Sequence, residues 1–132
     1  MVSELSDSFA RVDARIAEWE RRLAEDEAPA LEPLVQDAIG AARMLIDAVL
    51  AASGKTSPAP DADLLDAFKQ LARGTPSWNA MRDNLRELVY YRNCLALGRS
   101  DALPAAPERM ALRTLRHLAL YMRSRCETEG LL

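Results

Sequence analysis

The residue best suited to acid–base work, the only histidine, His117, stands within a run of arginines: Arg109, Arg113, Arg116 and Arg123. At helical spacing the four guanidinium groups form a row, which suits phosphate or carboxylate because each can hydrogen-bond an anion in a fork. Flanked by Arg113 and Arg116, His117 has a poor setting for a positive charge of its own, so neither a pH switch nor an acid catalyst is expected there. It reads as an exposed or interface imidazole, or as a partner of the arginine row in anion binding. One histidine excludes a multi-histidine metal site within one chain. The residue three before it is Thr114, not the glutamate that di-iron bundles place there.

Zinc would need Cys94 and Cys126 to converge on His117. If the last two helices form an antiparallel hairpin about the loop near 99–106, Cys94 faces Ala111 and Cys126 faces Asn79. The sulfurs then lie about 20 Å apart at 1.5 Å of rise per residue, too far for a disulfide. Both read as buried free thiols of a reducing compartment. Gly54-Lys55-Thr56 resembles the tail of a phosphate-binding loop, but position 49 is Val and a helix precedes it, so it reads as a helix cap followed by a solvated lysine. No catalytic set, metal or cofactor is expected, and the chain reads as a non-enzyme.

The elements that must carry these residues are all helical. The 132 residues fit one domain, 1–132, and the 5% aromatic content leaves a core of Leu, Ala, Val, Ile and Met, which suits helix–helix packing. Leu5, Phe9, Val12, Ile16, Trp19 and Leu23 form the seam of a first helix over about 3–26, capped by Ser3, Ser6 or Asp7 and ended near Pro29. A second helix, about 31–53, has the seam Leu31, Val35, Ala38, Ala42, Leu45 and Val49. Its small residues Ala38, Gly40, Ala41 and Ala42 would let a neighbour approach closely, and Gly54 caps it. Lys55–Pro60 is a linker. Asp61 or Asp63 caps a short helix with Leu64, Phe68 and Leu71 inward, ended by Gly74. Ser77 caps a fourth helix carrying Trp78, Met81, Leu85, Leu88, Val89, Tyr91 and Leu95, ended by Gly98. The last helix runs from Glu108 to about Glu127, with Leu112, Leu115, Ala119, Met122 and Cys126 inward and Met110, His117, Leu120 and Tyr121 on a further face. Four long helices and one short one with brief connections predict an up-down helical bundle.

The longest apolar stretch, 38–52, is broken by Gly40, Arg43 and Asp47, so no membrane span and no membrane partner are expected, and the expected compartment is the cytoplasm. The net charge of −3 is uneven. Residues 1–70 carry 14 acids against 7 bases, residues 71–132 only 6 acids against 10 arginines. The halves can neutralise each other within the fold or across a dimer; the other reading is an anionic partner. The overall pI of 5.2 argues against a dedicated nucleic-acid binder.

Arg92-Asn93-Cys94-Leu95-Ala96-Leu97 resembles the signature of HEPN domains, and residues 36–97 share the order of an Ala-rich helix, a Gly/Pro linker, a short Phe- and Leu-containing helix and this one. The resemblance implies a helical domain of RNA-cleaving or nucleotide-binding type. The family's catalytic histidine position is Leu97 here, so a ribonuclease centre is missing, and Arg92 and Asn93 carry over as polar residues at a dimer groove. Independently of any family, adjacent Tyr90 and Tyr91 must point to different faces, one packed and one at the edge, where tyrosines anchor interfaces. The leading expectation is an interaction or regulatory module, a homodimer with an acidic protein partner. Its surface would combine Arg109, Arg113, Arg116, His117, Leu120, Tyr121 and Arg123 with Tyr90, Arg92 and Asn93. A nucleotide- or RNA-binding HEPN-like domain is the alternative.

Overall fold

The computed structural model describes residues 3–25 and 30–132, and the expected stop at Pro29 lies outside them. Among the described residues every regular element is helical: α1 (Glu4–Ala24), α2 (Leu31–Ala52), α3 (Leu64–Ala72), α4 (Arg82–Ala96) and α5 (Pro107–Thr128), with short 3-10 helices at Pro76–Met81 and Ser100–Ala102. No helix among them is long and apolar enough to cross a membrane.

The amphipathic spacing of α1 is realised directly. Leu5, Phe9, Val12 and Ile16 are buried. Trp19 is half-buried because its indole N–H reaches out of the core to donate to Asp37 Oδ2 at 2.6 Å. Ser3 caps α1, its Oγ accepting from the Ser6 amide at 3.0 Å. α2 is the hub. Leu34, Val35, Ala38, Ala41, Ala42, Leu45, Ile46, Val49 and Leu50 are all buried over a broad arc, and it touches each of the other four α-helices. Ala38, Ala41 and Ala42 serve the close approach expected of them. Gly40 does not: it is exposed, and a side chain there would meet nothing within 4 Å.

Gly54 ends α2 at φ +70°, where an L-residue with a Cβ is strained. Its amide donates to Ala51 O and that of Lys55 to Leu50 O, which closes the orphan carbonyls in a Schellman arrangement. Lys55 is not the solvated lysine expected from the sequence. Its Nζ donates to Leu71 O at 3.1 Å and thereby ties the linker to the end of α3. Arg43 holds the same linker from the other side, through Ala59 O and Ala62 O. Asp63 occupies the position before α3, but its side chain makes no capping bond; it accepts from Arg92 instead.

Ser77 is likewise no helix cap. Residues 76–81 form a 3-10 turn opened by Pro76, and the α-helix starts only at Arg82. The tighter turn points both Trp78 and Met81 into the core. α4 and α5 then run in opposite directions, with Glu87 beside Thr114 and Ser77 beside Tyr121. α1 and α5 are also antiparallel, joined by Glu20–Arg116 and Asp13–Arg123. One continuous core includes buried residues from all five α-helices.

Ala106, immediately before α5, is the sole non-glycine residue with positive φ among those described (φ 49°, ψ 57°). An L-residue in this left-handed region carries about 1 kcal/mol of strain. Ala106→Gly is therefore expected to stabilise the fold by up to about 0.5 kcal/mol, because the looser unfolded chain offsets part of the relieved strain. A raised urea midpoint with unchanged slope would show it, and a lowered midpoint would contradict the strain.

Candidate functional site

Burial on α5 follows one broad stripe: Ala111, Leu112, Thr114, Leu115, Leu118, Ala119, Met122 and Cys126. The arginine row lies off this stripe. Arg116 pairs with Glu20 and Arg123 with Asp13, and the Arg123 guanidinium also lies 5.2 Å from the centre of the Phe9 ring. These contacts neutralise part of the arginine-rich half with acids of the first helix, within the fold. Arg109 and Arg113 are different. Both are exposed, and neither makes a hydrogen bond or ion pair with a described residue.

That arrangement opposes helix stability. Like charges four residues apart cost about 0.2–0.5 kcal/mol. Arg109 also sits in the first turn of α5, where the helix dipole disfavours a cation. Arg109, Arg113 and Arg116 line one wall of a groove between the C-terminal part of α1 and the start of α5. Its volume is about 350 Å³, and Leu23, Ala24 and Leu112 supply its apolar lining.

The further face expected around His117, Leu120 and Tyr121 divides. His117 and Leu120 are outward, Leu120 with 57% of its surface exposed. Leu120 follows Arg116 by four residues and precedes Arg123 by three, so it belongs to the arginine side rather than to a separate face. Tyr121 turns back into its own fold. Its hydroxyl donates to Ser77 O at 2.6 Å, and its ring meets Trp78 edge-on with centroids 6.4 Å apart. Met110 packs half-buried against the core.

On α4 the two tyrosines separate as expected. Tyr91 is buried, whereas Tyr90 is 48% exposed and donates to Ala102 O at 2.8 Å, pinning the connection to α5. Arg92 faces α3 and pairs with Asp63 at 3.1 Å. Asn93 is exposed, and Leu97, just past the helix end, is 75% exposed. The sequence-predicted residues thus fall into three places: Arg109, Arg113 and Arg116 at the α1–α5 groove, His117, Leu120 and Arg123 further along α5, and Tyr90, Arg92 and Asn93 on α4.

Cys94 and Cys126 are free and buried. Burial pushes the Cys126 thiol up to about 11, so it stays protonated at neutral pH and is a poor nucleophile. Among the described residues no group of three or more His, Cys, Asp or Glu side chains is placed to hold a metal ion.

One polar cluster escaped the sequence reading. Glu87 on α4 accepts from Tyr91 Oη at 2.5 Å and from Thr114 Oγ1 at 3.0 Å, bridging α4 to α5. Burial, then the Glu87 carboxylate, raise the Tyr91 phenol well above the usual tyrosine range. The only hint in the sequence is the four-residue spacing of Glu87 and Tyr91 on one helix. Comparison with protein-family models, curated proteins and solved structures finds no match.

Proposed function

We propose that this chain is a non-enzymatic interaction or regulatory module of the cytoplasm, an up-down bundle that works as a homodimer and presents its last two helices to an acidic protein partner. One observation carries the reading. Of the four large hydrophobic side chains exposed among the described residues, Tyr90, Leu97 and Leu120 lie on α4, at its end and on α5, and the fourth is Leu132 near the end of the chain. The helices α1 to α3 expose none. Apolar anchors flanked by arginine and tyrosine have the composition of binding surfaces.

Light scattering coupled to size exclusion tests the dimer. The expected mass is twice the 14.6 kDa of the chain. Leu97→Asp or Leu120→Asp, both at exposed positions, should shift it towards the monomer. A wild-type monomer at every concentration would overturn the homodimer.

A second reading, a nucleotide- or RNA-binding relative of HEPN domains without the catalytic histidine, is favoured by the guanidinium groups of Arg109 and Arg113, which have no partner among the described residues. It requires polyanion binding that falls steeply with salt. Salt-insensitive or absent binding would remove it.

A further inference from the structure

The groove between α1 and α5 combines three features that have no structural use together. It is of small-molecule size, about 350 Å³, within the usual range for ligand pockets. Its lining is apolar at Leu23, Ala24 and Leu112. Its rim carries three guanidinium groups against one carboxylate, Glu20, which Arg116 already engages. Arg109 and Arg113 have no acidic partner among the described residues, and they lie near a helix start whose dipole adds to their positive field. An anion placed between them would relieve the repulsion of the pair and the unfavourable dipole at once. A purely inorganic anion would leave the half-buried Leu23 and the exposed Ala24 uncovered.

We propose that this groove binds a small amphiphilic anion, an organic phosphate or carboxylate whose head lies between Arg109 and Arg113 and whose apolar body covers Leu23 and Ala24. A planar fork of donors suits either head group. The site does not depend on the dimer reading, because it is built within one chain, and the two fail separately: one in ligand binding, the other in mass.

Calorimetric titration of the full chain with 1-naphthyl phosphate and with octanoate tests it. At least one should bind saturably at one per chain, and at least tenfold more tightly than inorganic phosphate or neutral 1-naphthol. Arg109→Ala/Arg113→Ala should weaken that binding tenfold or more, with the melting temperature unreduced because both side chains are exposed. Arg73→Ala/Arg86→Ala, which removes two exposed arginines outside the groove, should leave it unchanged. Saturable binding of neither probe would overturn the proposal. So would equal affinity for inorganic phosphate, an equal loss in the Arg73/Arg86 variant, or tighter binding of poly-glutamate, which would make the groove a site for acidic polypeptide.

Discussion

Trp78→Ala is expected to destabilise the fold by about 3–5 kcal/mol, the range for removing a large aromatic side chain from a packed interior. Trp78 is 1% exposed. It hangs from the 3-10 turn that joins α3 to α4, and its ring supports Tyr121 of α5 edge-on. The substitution therefore opens a cavity and releases a contact between elements far apart in the chain. Small domains hold only about 5–15 kcal/mol in total, so urea unfolding should show a midpoint shifted strongly downward. A loss below about 1 kcal/mol would mean that the surrounding side chains collapse into the space, and would contradict a rigid junction. Trp78→Phe, which keeps an aromatic ring, should recover part of the loss.

Glu87→Ala is expected to cost about 2–4 kcal/mol, since it strands two buried hydroxyl donors, each at about 1–3 kcal/mol. The donors are Tyr91 Oη and Thr114 Oγ1, on residues with 2% and 5% exposure. Glu87→Gln keeps an acceptor and should lose less. Glu87→Leu combined with Tyr91→Phe and Thr114→Val removes every stranded group, and should recover most of the stability. If the triple variant is no more stable than Glu87→Ala, the hydrogen bonds are not the cause. The same cluster sets a pH dependence. The Tyr91 phenol titrates above its unfolded value of about 10, so the unfolded chain releases its proton first. This contribution is fully present below pH 10 and is lost as pH rises above it. Tyr91→Phe should flatten the alkaline decline in the urea midpoint.

Much of this architecture is legible in one dimension because helix burial repeats at 3.6 residues. The α1 seam from Leu5 to Ile16 and the α2 seam from Val35 to Val49 emerge as read, and so do the helix-ending glycines at 54, 74 and 98. Lys55 and Tyr121 are misread for one reason: the deciding partner lies far along the chain. Lys55 reads as solvated until Leu71 O is beside it, sixteen residues on. Glu87 has no visible role in the sequence until α5 delivers Thr114. Tyr121 reads as an outward anchor until Ser77 O, forty-four residues earlier, takes its hydroxyl. The arginine row was visible as a row, but its division into neutralised and unneutralised members was not. That division depends on Asp13 and Glu20 of α1, residues that the row reaches only through the fold.

The pairing of the first helix with the last has a consequence for how the chain is made. Asp13–Arg123 and Glu20–Arg116 join residues 110 and 96 positions apart. Until α5 leaves the ribosome, the flank of α1 around Phe9 has no permanent cover, and closing so long a loop is entropically slow. Nascent chains halted before Pro107 should behave as sticky intermediates that need a chaperone's hold, and release should come with the arrival of a single helix.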